Sequence, residues 1–297
     1  MNKVIQPVQN ALLMPLQGDI TRFTAGVFDS RGCFLPGSML DRCHTTAPPA
    51  PASRHLKGVY LFGGYFFGHY GHFILESLSR AYAIAQCKPE IPVLFMTTRK
   101  EVDARSQNIF NTLGIRNQIL LVHEPTTVDT LLFSEAGCGL LPPRITPEQL
   151  AALGTVAVAP SKEGKKIWLS RSYLSLLGGI TNEEAMENNI ASLGYEIIHP
   201  ERLAFLEQVH LVASASVVAG FDGSAFYTGL FAKKVHGRFI ICNRRATIPA
   251  EIPILLGAKN IPLELHEFPV ENYSGSGPRE RALLKNPQNV YDVLIRA

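Results

Sequence analysis

The sequence has no run approaching the ~20 consecutive apolar residues that a bilayer-spanning helix needs. Its most apolar stretch, 203–221, is interrupted by Glu207, Gln208 and His210. It also lacks any C-x-x-C pair: the five cysteines, Cys33, Cys43, Cys87, Cys138 and Cys242, are odd in number and widely spread. That distribution excludes a small disulfide scaffold or a zinc ribbon and predicts reduced core thiols. A strong charge of either sign is missing too, because 28 Lys and Arg against 25 Asp and Glu leave a net +3 shared by both halves. A nucleic-acid-binding domain carries a large local basic excess, so that class is excluded. There is no G-x-G-x-x-G after a strand and no G-x-x-x-x-G-K-[ST], which removes the usual grounds for a dinucleotide or P-loop protein. Residues 1–20 hold one lysine and are broken by Pro7 and Pro15. They lack the charged start and continuous apolar run of a secretory signal, and export is not expected.

What is present is a chain of 297 residues, 46% hydrophobic and 18% charged, long enough for about two domains with cores of their own. After a proline-rich connector at 47–53, strands are predicted at 58–62, 92–96 and 118–122, and helices at 72–86 and 101–113. The second half alternates more clearly. Strands at 166–170, 195–198, 217–221 and 238–242 are separated by helices at 182–193, 203–214 and 224–232. Continuous apolar strands between helical segments indicate parallel sheets covered on both faces. The expected fold class is α/β, with two Rossmann-like domains facing a cleft. Proline density at 142–161 marks the boundary, placing the domains at 1–155 and 156–297.

Three segments can carry chemistry. In Val217-Val218-Ala219-Gly220-Phe221-Asp222-Gly223-Ser224-Ala225 a strand, a glycine turn and a helix start aim the N–H groups of Gly223, Ser224 and Ala225 outward, where helix polarity favours phosphate; equally, Asp222 or Ser224 can simply cap the helix. In Lys166-Ile167-Trp168-Leu169-Ser170-Arg171 a buried strand delivers an arginine at its carboxyl end, where open α/β sheets bind ligands and where a guanidinium fork suits a diphosphate. The alternative is a surface arginine paired with Glu183. Lys233, Lys234, Arg238, Arg244 and Arg245 form a further basic cluster, read as a solvated face. Finally, His72, Glu76 and Arg80 fall at i, i+4 and i+8, on one face of the predicted helix. Glu76 can then pair with Arg80 and orient His72 as a general base, or the three can tie the helix to its sheet. His69, His72 and Glu76 also permit a zinc reading, weakened by Gly68 and Gly71 on either side of His69. The aromatic run Tyr65, Phe66, Phe67, Tyr70 and Phe73 suits sugar stacking or core packing.

Taken in order, His72-Phe73-Ile74-Leu75-Glu76 with Arg80, then Lys166 to Arg171, Asn182-Glu183-Glu184, Leu203-Ala204-Phe205-Leu206-Glu207-Gln208, and Gly220 to Ala225 with Leu230-Phe231 resemble glycosyltransferase family 61. The resemblance implies a GT-B architecture and inverting transfer from a nucleotide-diphosphate sugar, a UDP-sugar, to a hydroxyl of a glycan or lipid-linked glycan acceptor. It implies no cofactor, no obligatory metal and no nucleic-acid partner. The chain looks most like bacterial members that build capsular and other surface polysaccharides, which implies a cytoplasmic protein; peripheral association with the inner face of the membrane is compatible with that. On this basis His72 and Glu76, with Asp222, are the candidate catalytic residues, and Arg171, Glu183, Gly223, Ser224 and Ala225 the candidate donor-binding ones. The sequence departs from the family pattern at Asp222, where many members carry histidine. That departure keeps open a catalytically inactive sugar- or nucleotide-binding protein, and the His69–His72–Glu76 set keeps open a metal-dependent hydrolase.

Overall fold

The predicted strands at 58–62, 92–96 and 118–122 are three of the four parallel strands of a six-stranded sheet in a computed structural model, which describes residues 5–18, 23–41, 46–161, 164–174, 178–271 and 280–297. The chain divides into two units, Met1–Leu153 and Gly154–Ala297. The first is built on β1 (Gln6–Gly18), β2 (Phe23–Phe28), β3 (Arg54–Tyr65), β4 (Val93–Met96), β5 (Ile119–Val122) and β6 (Thr126–Phe133), in the order β2-β1-β6-β3-β4-β5. Strands β3 to β6 pair in parallel, whereas β1 runs antiparallel to both β2 and β6. The sheet is therefore mixed, not purely parallel as expected. Pro7 and Pro15 hide β1, because proline weakens a strand signal; the second is absorbed in a bulge between Met14 and Gln17.

The helix predicted over 72–86 is interrupted. A short α1 (Tyr70–His72) opens into a π-helical turn at Phe73–Ser77, followed by a bend and α2 (Ala81–Gln86). The Leu78 N–H reaches five residues back to the Phe73 carbonyl at 2.9 Å. Carbonyls released by the bend find tertiary partners: Gln149 Nε2 donates to Leu78 O at 2.7 Å and the Gly137 N–H to Ser79 O at 2.6 Å. Arg80 then turns into the core. It is fully buried, donating from Nε to Ser134 O at 2.9 Å and from Nη2 to Gly37 O at 2.6 Å, with its guanidinium 4.7 Å from the Phe62 ring centre. Gly64, at φ +103°, gives it room, since a Cβ there would sit 2.6 Å from Arg80 Nη1. The expected face shared by His72, Glu76 and Arg80 is thus broken after Glu76, and Arg80 bonds to backbone carbonyls in place of the expected Glu76. The aromatic run is mostly core as well, with Tyr65, Phe66, Phe67 and Phe73 all buried. Helix α3 (Ala104–Thr112), the hairpin of β7 (Cys138–Leu140) and β8 (Pro143–Ile145), and α4 (Pro147–Leu153) complete this unit.

The second unit carries β9 (Lys166–Leu169), β10 (Gly179–Ile180), β11 (Tyr195–Ile198), β12 (Val217–Phe221), β13 (Arg238–Cys242), β14 (Leu263–His266), β15 (Val270–Glu271) and β16 (Arg281–Leu284). Five of these make an all-parallel sheet in the order β11-β9-β12-β13-β14. Helix α5 (Glu183–Ser192) links β9 to β11, α6 (Phe205–Ser214) links β11 to β12, and α7 (Glu251–Ala258) links β13 to β14; α8 (Gln288–Arg296) follows the small sheet β10-β16-β15. Alternate residues face opposite layers. Trp168, Ala219, Phe221 and Ile240 pack with Met186, Ile190, Val290 and Leu294. On the other face Phe239 meets Phe226, their rings 5.6 Å apart. Burial on both faces is why the central strands β9, β12 and β13 read as apolar runs. The helix predicted at 224–232 is a 3₁₀ helix, Ser224–Phe231, whose Gly229 presses against the Phe239 ring, leaving 3.0 Å for a Cβ.

Among the four described cysteines, all free thiols, Cys138 and Cys242 are buried as expected, whereas Cys33 is exposed and Cys87 half-buried; Cys43 lies outside the described residues. No helix among the described residues is long and apolar enough to cross a membrane.

Candidate functional site

In a parallel sheet whose first strand sits between the second and third, the connections leave in opposite directions and open a crevice beyond the carboxyl ends of the first and third strands. Here those strands are β9 and β12. Register pairs Leu169 with Gly220, so Arg171 and Asp222, each two residues further on, emerge at the same level. The loops carrying Arg171 and Gly223 are in contact: a Cβ on Gly223 would lie 2.5 Å from Arg171 Nη1. With φ of 174° the Gly223 backbone is extended, so glycine is needed there for space. Ser224 and Ala225, half-buried, begin the 3₁₀ helix, whose first N–H groups have no acceptor within the helix. Gly220, by contrast, is packed against its own sheet, with a Cβ there only 2.9 Å from the Leu169 carbonyl oxygen.

Arg171 is buried, not the surface residue of the alternative reading, and burial lowers its pKa below the usual arginine value. Glu183, the first residue of α5, is what holds it. Its Oε1 accepts from the Arg171 backbone N–H at 3.1 Å and from Trp168 Nε1 at 3.1 Å, while its Oε2 is buried with no hydrogen-bond partner among the described residues. Burial pushes the Glu183 carboxyl up from 4.5 to about 7. The folded chain therefore binds more protons at this site than the unfolded chain across that window, and stability falls as pH rises from about 4.5 through 7. The shift corresponds to roughly 3 kcal/mol. Glu183→Gln removes the ionisation, so its melting temperature relative to the parent should climb by roughly 6 to 12 °C between pH 5 and pH 8. A difference that stays constant over that range would show that Glu183 ionises alike in both states.

Asp222 is fully buried. Its Oδ1 accepts from the Arg244 N–H at 2.7 Å, and its Oδ2 lies 3.2 Å from Arg244 Nε and 3.3 Å from Arg245 Nη2. Arg244 Nε also donates to the Asp222 carbonyl at 2.8 Å. Burial brings the Arg244 pKa down to about 10, with Asp222 opposing the fall and Arg171 and Arg245 adding to it. The basic cluster read from sequence as one solvated face is thus split. Lys233 and Lys234 are exposed, Arg238 pairs with Glu264 at 3.0 Å, and Arg244 and Arg245 follow the carboxyl end of β13. Sequence reasoning missed these two, although the signal that found Arg171, a cation just past an apolar strand, was there.

The first unit holds the remaining candidates, on the segment following β3. His72 Nδ1 lies 2.6 Å from Glu76 Oε2; the histidine is about one-third exposed and the carboxylate buried, at 32% and 3%. The π-helical turn contains Glu76, and such wide turns are frequent at functional sites. Glu76 also lines a cavity of about 160 Å³ with Asp41, Glu135 and Arg144, in which Arg144 forks onto Asp41 at 2.7 and 3.0 Å. His69 is exposed, its ring 5.2 Å from that of His72. Among the described residues no group of three or more His, Cys, Asp or Glu side chains is arranged to hold a metal ion, and the set His69, His72 and Glu76 is not such a group.

No curated protein matches the chain. The family model described as Glycosyltransferase 61 matches residues 70–238, more than half of the sequence and the span holding every candidate residue named above from His72 to Asp222. With its arginine and glycine loops meeting beyond a parallel sheet, the chain belongs to glycosyltransferase family 61.

Proposed function

We propose that this glycosyltransferase moves a sugar from a UDP-sugar to a hydroxyl of a glycan or lipid-linked glycan acceptor, with inversion, in the building of a surface polysaccharide such as a capsule. The observation that carries the reading is the contact between Arg171 and Gly223 at the switch point of the second unit. In a single displacement the acceptor oxygen bonds to the anomeric carbon as the bond from that carbon to the diphosphate oxygen breaks. The electron pair leaves with the diphosphate, and the acceptor proton passes to a base. Stabilising the departing charge is the main electrostatic task. Arg171 and the N–H groups of Gly223, Ser224 and Ala225 perform it, without an obligatory metal ion, while Glu183 fixes the Arg171 backbone. His72 is the base, oriented by Glu76. In this reading the chain is a cytoplasmic GT-B enzyme whose second unit binds the donor and whose first binds the acceptor.

Calorimetric titration with UDP tests the donor assignment. Arg171→Ala should weaken binding by about tenfold or more, the usual scale for losing a charge-assisted bidentate contact. Gly223→Ala should do the same with little change in melting temperature, because the added methyl meets only the far end of the Arg171 side chain and no backbone. Unchanged affinity in both variants removes this turn from the donor site. UDP binding without sugar transfer to any glycan in a broad acceptor panel would favour the inactive binding protein instead.

A further inference from the structure

Asp222 stands where a reacting group was expected, yet its carboxylate faces arginines. The ladder explains why. Phe221 pairs with Cys242, and the Asp222 N–H extends that pairing by donating to the Cys242 carbonyl at 2.7 Å. This holds Asp222 beside the residues that leave β13. One carboxylate oxygen takes the Arg244 backbone N–H, the other faces the Nε edge of Arg244 and the Nη2 of Arg245, and the Asp222 carbonyl takes Arg244 Nε again. A guanidinium gripped along its Nε edge, with its own backbone amide pinned to the same carboxylate, has one orientation. Arg171 emerges from the adjacent strand at the level of Asp222 and lies against Gly223.

We infer that Arg244 is a second diphosphate-binding residue and that Asp222 is a positioning residue that aims it. This rests on the donor reading above and extends it: the ligand at the switch point is held by guanidinium forks from two strands, a pattern suited to two phosphoryl groups in a row. Asp222 itself touches no substrate, and its negative charge sits on the arginines and not on the sugar.

The test compares the affinities of UDP and UMP by calorimetry in the parent, Arg244→Lys, Arg244→Ala and Asp222→Asn. Arg244→Lys keeps the stem and the charge but loses the fork, so it remains informative if the alanine variant does not fold. The expected result is a fall of about tenfold in the UDP-to-UMP affinity ratio for Arg244→Ala, which removes the guanidinium altogether. For Arg244→Lys, which swaps the fork for a point charge, and Asp222→Asn, which loosens its aim, the expected fall is about three- to tenfold. A purely structural role lowers melting temperature and weakens both nucleotides alike, leaving the ratio where it was. A parental ratio in both Arg244→Lys and Asp222→Asn overturns the inference while the donor reading stands on Arg171. A parent protein that binds no UDP overturns both.

Discussion

His72→Ala should lower kcat by about two to four orders of magnitude, the range associated with losing a positioned general base, while UDP affinity stays near that of the parent. The reason lies in the 2.6 Å contact between His72 Nδ1 and Glu76 Oε2. An ionised carboxylate can only accept, so it selects the tautomer with the proton on Nδ1 and leaves Nε2 as the basic nitrogen. The carboxylate is buried and the imidazole partly exposed, so the ring is anchored at one edge and open to a substrate at the other. Transfer assays with saturating donor, paired with UDP calorimetry, separate the possible roles. Full activity eliminates His72 as the base, and a loss of UDP affinity moves it to the donor site. Glu76→Gln should reproduce the kcat defect in milder form, because an amide can present either a donor or an acceptor to Nδ1.

Arg80→Ala should be the most destabilising single change in the first unit, by about 3 to 5 kcal/mol, as expected when a hydrogen-bonded buried charge is cut away from its partners. The side chain is fully buried and its pKa lowered by desolvation, but only to about 10, so it is charged at neutral pH. Its Nε and Nη2 serve carbonyls on two separate segments, Ser134 and Gly37, and its face covers Phe62. Removal leaves the buried Ser134 carbonyl and the half-buried Gly37 carbonyl without their donor and opens space beside Gly64. Thermal melting should fall by about 10 °C or more, and a loss below about 1 kcal/mol would mean that the carbonyls find other donors. Arg80→Lys should recover little, since one ammonium cannot span the fork.

The parts of this fold legible in the sequence were those whose side chains are decided by burial. The β9, β12 and β13 segments lie in the middle of a sheet covered on both faces, and their apolar runs marked them to within a residue. The candidate loops came into view for the same reason, because a ligand site on such a sheet lies just beyond strands that can be seen. Tertiary contacts hid the rest. Pro7 and Pro15 disguised β1, and one of its two antiparallel partners, β6, comes from far along the chain. The helical spacing of His72, Glu76 and Arg80 was real as far as Glu76, but N–H donors from Gly137 and Gln149, invisible to any local pattern, take the Ser79 and Leu78 carbonyls where the helix breaks and Arg80 turns inward. Arg244 was hidden by its company: five basic residues within thirteen positions look like one surface, although β13 carries them to opposite ends of a strand.

The wide turn at Phe73–Ser77 makes this stretch tolerant of a change in length. A π-helical turn takes up about one residue more than an α-helical one, so a chain one residue shorter there can wind regularly and still present its flanking side chains in nearly the same directions. An alignment with such a chain should therefore place its gap inside 73–77, where the extra residue is absorbed, and not in the elements on either side.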